Sequence, residues 1–243
     1  MSSRAILLDI EGTTTSIRFV YDTLFPFARQ HVGAFLEAAW AEDAVQADVD
    51  ALRIQAAQDL ASGVTEAPQI PATGPDAELR SATLANVLWQ MDSDRKTTGL
   101  KALQGKIWQH GYSSGELLGH IYDDVEPALH AWRDAGLPVS IYSSGSVAAQ
   151  KLLFRHSERG DLTPLLTSYF DTTTGPKKAA SSYTAIAQVL AYEPRDVCFL
   201  TDNIDEAIAA RDAGLRAVLS IRPGNAVLPE HTFETITSFD ELF

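Results

Sequence analysis

The stretch Ala5-Ile6-Leu7-Leu8-Asp9-Ile10-Glu11-Gly12-Thr13-Thr14 most constrains what this chain can become. Four consecutive apolar residues without helical spacing predict a short strand buried on both faces. The strand ends in two carboxylates, Asp9 and Glu11, which leave an extended chain on one face because they are two positions apart. A buried strand that delivers acids at its C-terminal end places them where open α/β sheets bind ligands. Gly12 has no Cβ, so the chain there can turn sharply or come close to a ligand. Taken alone, D-x-E-G-T is equally compatible with a strand that ends in a polar turn.

At 243 residues, 45% hydrophobic and 21% charged, the chain suits one large domain or a core with a smaller insert. Its formal net charge of −13 argues against nucleic acid or an anionic membrane as partner, since both call for a basic face. An anionic substrate must then be drawn in by local features: a metal ion, a lysine or backbone amides. The single cysteine, Cys198, rules out a disulfide within the chain, and no C-x-x-C is present to bind zinc. That usage fits a reducing cytoplasm. Asp9 and Glu11 interrupt the first apolar run, so no signal peptide is expected, and no stretch reaches the roughly 18 apolar residues of a membrane span.

From about Tyr21 to His110 the pattern is helical. Leu24, Phe25, Ala28, Val32, Phe35 and Leu36 recur at helical spacing, and further helices are expected over 44–60, 76–92 and 98–110. Residues 63–75, rich in Pro, Gly, Thr and Ala, read as a loop. Strands and helices alternate afterwards, with strands expected over 137–142, 168–171, 196–201 and 215–221 and helices between them. That alternation predicts an α/β fold: a Rossmann-like, doubly wound parallel sheet. The expected organisation is a catalytic core of residues 1–16 and 123–243 with a helical cap, 17–122, inserted. No heptad seam is visible, so a monomer is expected.

Polar residues gather at or just after the C-terminal ends of four strands: Asp9 and Glu11, Ser143 and Ser144, Lys177, and Asp202. In a parallel sheet those ends share one edge. Each cluster has a plainer reading by itself. Ser144-Gly145-Ser146 could be only a helix cap, Lys177 or Lys178 a solvated charge, and Asp202 to Glu206 a capped helix start. Arg222, after the last strand, could touch the substrate or be a surface charge. The histidines show no metal-ligand spacing.

The four-cluster arrangement resembles the haloacid dehalogenase-like hydrolases. D-I-E-G-T-T at 9–14, G-Y-S-S-G-E at 111–116, Y-S-S-G-S-V-A-A-Q-K at 142–151, F-L-T-D at 199–202 and R-P-G-N at 222–225 further resemble the enolase-phosphatases (acireductone synthases) of methionine salvage. The resemblance implies a bifunctional Mg²⁺-dependent enzyme acting on a small phosphorylated molecule, 2,3-diketo-5-methylthiopentyl-1-phosphate. It implies Asp9 as nucleophile and Glu11 as acid/base, with Asp9, Asp202 and the Glu11 carbonyl holding Mg²⁺. Ser143, Ser144 and Lys177 would bind phosphate, Lys177 being favoured over Lys178 because it follows Gly-Pro directly. Glu206 would hold a metal-bound water or position Lys177. Two alternatives differ in chemistry: a metal-free dehalogenase, for which Glu11 and the Asp202/Glu206 pair have no use, and a phospho-ligand binding module, for which Asp9 and Glu11 have none.

Overall fold

The structure, a computed structural model, describes residues 3–242. The chain divides into two compact units, Met1–Asp22 with Leu117–Phe243, and Thr23–Glu116.

The first unit holds a sheet of six parallel strands: β1 (Ala5–Leu8), β2 (Val139–Tyr142), β3 (Ser168–Phe170), β4 (Val197–Thr201), β5 (Arg216–Ser220) and β6 (Glu234–Ile236). They lie in the order β3-β2-β1-β4-β5-β6, the doubly wound order in which the chain reverses direction between β1 and β4. Leu8 pairs with Ile141 on one side and Leu200 on the other, so β1 is central. Its apolar run follows from that position. Ile6 and Leu8 enter a core with Trp132, Phe154 and Phe239, while Ala5 and Leu7 enter the opposite one with Tyr142, Tyr183 and Phe199. A strand packed on both faces has no polar side to show.

The helices on this sheet are explained by their apolar spacing. In Val125–Asp134 the buried residues are Val125, Ala128, Leu129 and Trp132, one stripe of a 3.6-residue period. Residues 17–22 and 117–122, expected with the helical insert, belong instead to the sheet unit. Ile121 is buried in its core, Phe19 and Tyr122 pack against that core, and the Tyr122 amide donates to the Thr14 carbonyl at 3.1 Å. The strand β6 is not expected from the sequence: three residues with Glu and Thr exposed carry no apolar run.

The second unit has its own core of four helices, α1 (Phe25–Ala39), α2 (Asp43–Ala61), α3 (Asp76–Asp92) and α4 (Thr98–Ser114), around Val32, Leu36, Val49, Leu52, Leu100 and Ile107. The helix expected from Tyr21 begins as a π-helical turn, Val20–Leu24. Pro26 has no N–H to donate to residue 22, which removes an ordinary helical bond there. A buried polar ladder crosses this core: Gln90 donates to Asn86 at 2.7 Å and Thr97 to Gln90 at 2.5 Å, and Asn86 donates to the Pro68 carbonyl. Among the described residues no helix is long and apolar enough to cross a membrane.

Because Leu8 is fully buried at the centre of the sheet, Leu8→Ala is expected to lower unfolding free energy by about 2–5 kcal/mol. Denaturant titration checks this as a reduced midpoint at unchanged slope.

Candidate active site

The site starts where β1 stops. The Asp9 amide extends the ladder by one bond to the Leu200 carbonyl, 2.9 Å, which fixes the side chain between β1 and β4. Beyond it the chain curls on itself: the amides of Thr13, Thr14 and Thr15 all point at the Ile10 carbonyl, at 2.9–3.1 Å. Gly12 makes this curl possible with φ +69°, a conformation that costs a side-chain-bearing residue free energy.

Asp9 is only 3% exposed, yet both its oxygens are engaged. Oδ1 accepts from the Ile10 amide at 2.8 Å and from Lys177 Nζ at 2.5 Å; Oδ2 accepts from Thr201 Oγ1 at 3.0 Å. Lys177 also pairs with Glu206 Oε2 at 2.7 Å. Burial alone would pull the Lys177 ammonium down, but the charges of Asp9, Glu206 and Glu11 outweigh it and hold the group above the usual lysine range. Thr201 lies 3.0 Å from both Asp9 Oδ2 and Glu206 Oε2. One hydroxyl proton cannot serve two carboxylates at once, so the two acids compete for it. Burial and the nearby Asp9 charge push Glu206 up to about 8.

Three hydroxyls fix the loop that carries Lys177. Tyr142 donates to the Gly175 carbonyl at 2.9 Å, Ser182 to the Pro176 carbonyl at 2.8 Å, and Tyr183 to the Lys177 carbonyl at 2.6 Å. All three donors are buried. The neighbouring Lys178 is outside the cluster, exposed and paired with Asp205 at 2.8 Å. At the end of β2, the buried Ser143 donates from Oγ to Glu11 Oε2 at 3.2 Å and accepts from the Gly145 amide at 3.2 Å, while Ser144 is exposed. Burial, then the Asp9 charge, raises the Glu11 carboxyl above the usual range.

Asp202 follows β4 and faces the Gly12 turn so closely that a Cβ at Gly12 would collide with its carboxylate. Burial, then the charge of Asp9, pushes it up to about 7. Among the described residues Asp9 and Glu206 thus contact one ammonium, and Glu11 and Asp202 feel its charge without pairing with it. Such an excess of buried acid calls for a cation or for protons.

Arg222 is not a surface charge. It is 6% exposed, with Nε donating to the Thr13 carbonyl at 3.2 Å, Nη1 to the Thr237 carbonyl at 3.0 Å and Nη2 to Asp124 at 2.8 Å. Its guanidinium lies over the rings of Tyr122 and Phe239. The reason is local: with no strand beside it, the Thr13 carbonyl needs a donor from elsewhere. Asn225 does the same for the next carbonyl back, donating from Nδ2 to Gly12 O at 2.9 Å.

Residues 3–214 match the model of the haloacid dehalogenase-like hydrolases. The enolase-phosphatase E1 of Synechococcus elongatus is 51% identical over 242 residues, covering 100% of this chain and 98% of the relative. The chain belongs to the enolase-phosphatase E1 family. A Populus trichocarpa relative, named as a probable bifunctional methylthioribulose-1-phosphate dehydratase/enolase-phosphatase E1, is 50% identical over 98% of this chain and 47% of its own length. Among solved structures, the UTR4 protein of Saccharomyces cerevisiae matches with TM-score 0.78 and 30% identity, covering 98% of this chain and 99% of that one. Membership of this family makes the chain a phosphatase enzyme of the haloacid dehalogenase-like fold.

The family implies a divalent cation, and the residues present fit one. Among the described residues no three His, Cys, Asp or Glu side chains converge as a metal cage. Two carboxylates and a main-chain carbonyl, all oxygen, would suit Mg²⁺, which keeps several of its waters. The observation in favour is the Asn225 Oδ1 atom, buried without a hydrogen-bond partner beside the Asp202 carboxylate.

Thr201, Glu206, Tyr142, Ser182, Tyr183 and Asn225 hold this arrangement together; the sequence suggested a role for Glu206 alone, while Tyr142, Thr201 and Asn225 stood in motifs without one. Thr201 adjoins Asp202 in F-L-T-D, which was a usable signal; Tyr183 reads only as the buried face of a helix.

Removing the Arg222 cation leaves the largely covered Asp124, 12% exposed, among neutral donors. Arg222→Met is therefore expected to cost about 3–5 kcal/mol of stability, measured by denaturant unfolding.

Proposed function

We propose that this chain is a Mg²⁺-dependent enolase-phosphatase of methionine salvage, converting 2,3-diketo-5-methylthiopentyl-1-phosphate to acireductone (1,2-dihydroxy-3-keto-5-methylthiopentene) and phosphate. The observation that carries the reading is Asp9: a buried carboxylate at the sheet crevice, oriented through both oxygens, with Lys177 against it and a second acid two residues on. The Populus relative's name supports the substrate class, since it pairs enolase-phosphatase with a dehydratase of a methylthio sugar phosphate.

Mg²⁺ held by Asp9, Asp202 and the Glu11 carbonyl would neutralise phosphate charge and polarise the diketone. A carboxylate removes the C–H proton next to that carbonyl and the carbonyl oxygen takes up a proton in exchange, giving the phosphorylated enol. In the second half-reaction an Asp9 oxygen attacks phosphorus and forms an aspartyl-phosphate, while the bond from phosphorus to the enol oxygen breaks. Glu11, held toward its protonated form by burial, donates its proton to that oxygen. The Glu11 carboxylate then takes a proton from water, which hydrolyses the acyl phosphate, frees phosphate and restores Asp9. Lys177, with the Ser143 hydroxyl and Ser144, holds the phosphate oxygens through these steps.

Enol absorbance and free phosphate, followed together on the diketo phosphate, test the reading. Chelator is expected to stop phosphate release and added Mg²⁺ to restore it; full turnover in chelator would sink the cation assignment. Asp9→Asn is expected to release no phosphate while still forming the phosphorylated enol slowly at raised Mg²⁺. Phosphate release at the wild-type rate would overturn Asp9 as nucleophile.

The two lysines give an internal control. Lys177→Ala is expected to lose on the order of 10²–10³ in kcat, as for a preorganised donor to a charged oxygen. Lys178→Ala, which removes only an exposed pair, is expected to remain within twofold of wild type. Steady-state kinetics of the two variants would expose a reversed assignment.

A further inference from the structure

The R-P-G-N turn after β5 contributes a second side chain to the site. The Asn225 amide is held from one end: Nδ2 donates to Gly12 O at 2.9 Å and to Ser220 O at 3.3 Å. Both partners are carbonyls and accept only, so the nitrogen must face them, which fixes the orientation of the amide without ambiguity. Oδ1 is left pointing the other way, buried and without a partner among the described residues. Where it points is set by Gly12. A Cβ built there would stand 2.9 Å from Asn225 Oδ1 and collide with the carboxylate of Asp202.

Two acceptors therefore face the same small space across a glycine, one of them a carboxylate and the other an amide oxygen. An acceptor beside an acceptor is repulsive unless a donor or a cation stands between them. The lysine that serves Asp9 is already paired with Asp9 and Glu206.

We propose that Asn225 is part of the cation site: Oδ1 accepts a hydrogen bond from a water carried by the divalent ion that Asp202 helps to hold. This rests on the Mg²⁺ reading above. Mg²⁺ suits such an arrangement because it sheds its waters reluctantly and is commonly gripped through them. Gly12 is then required for space as well as for its backbone angle, since any side chain would fill the gap between the two oxygens.

The test is binding of Mn²⁺ to the cation-free full chain, read from the loss of the free-ion electron paramagnetic resonance signal, with no turnover involved. Wild type is expected to bind one ion at this site and Asp202→Asn to lose it. No binding by wild type would overturn the cation reading itself, and this inference with it. Asn225→Ala is expected to weaken Mn²⁺ about tenfold, the scale of one hydrogen bond to a polarised water. Asn225→Asp separates the two roles of the side chain, because it keeps an oxygen facing Asp202 but loses both N–H donors. We expect it to melt at a lower temperature than wild type when cation-free, yet to bind Mn²⁺ more tightly than Asn225→Ala. If Asn225 only anchors the Gly12 carbonyl, the Asp variant binds no better than the Ala variant, and the inference fails. It fails equally if Asn225→Ala, folded by circular dichroism, binds Mn²⁺ as wild type does while Asp202→Asn does not.

Discussion

The Lys177–Asp9 contact is the interaction on which the rest of the site depends. At 2.5 Å and with both side chains almost wholly buried, it joins β1 to a loop 168 residues further along the chain. Desolvating an ammonium is tolerable only where carboxylates surround it, and desolvating several carboxylates is tolerable only around a cation. Neither member has a reason to be buried without the other. The three hydroxyls on the Gly175, Pro176 and Lys177 carbonyls follow from this demand. A lysine on a free loop would lose rotamer and backbone entropy each time it entered the pocket; a loop whose carbonyls are already bound has lost that freedom on folding.

The charge is not balanced by Lys177 alone, and the imbalance is informative. Asp202 and Glu206 are both pushed up, to about 7 and about 8, by burial first and by Asp9 second. A protein built only for stability would replace one of these acids with a neutral residue. Retaining all of them leaves an excess of negative charge, which a bound cation would balance. The negative net charge of the chain, −13, fits this picture, since attraction of a phosphate must then be local.

Much of this was legible in the sequence, for a definite reason. β1, β2, β4 and β5 are buried strands, and burial on both faces leaves apolar runs that nothing else in the chain mimics. Asp9, Glu11, Ser143 and Asp202 stand where such runs end, and Lys177 follows β3, so their common edge could be inferred from topology. β6 was not legible because an edge strand of three residues needs no apolar run. The limits of the insert were misplaced because Phe19, Ile121 and Tyr122 look alike whichever core they fill. The partners of Arg222 were not legible for a related reason. They are the carbonyls of Thr13 and Thr237 and one distant acid, and a carbonyl carries no sequence signal.

That last point extends to how the site is built. The 10–15 turn lies outside the sheet ladder, so its carbonyls must find donors among side chains or one another. Ile10 O receives three amides of the turn itself. Gly12 O and Thr13 O, adjacent in the chain, receive Asn225 and Arg222 from the single turn after β5. The position of Glu11 is thus set jointly by the first strand and by a turn more than two hundred residues later. Arg222 is in turn held by Asp124 and the Thr237 carbonyl, so the constraint runs on into the C-terminal segment. A turn fixed this way cannot drift without breaking hydrogen bonds in three separate parts of the chain. The residues that supply those bonds place the acids without needing to touch a substrate.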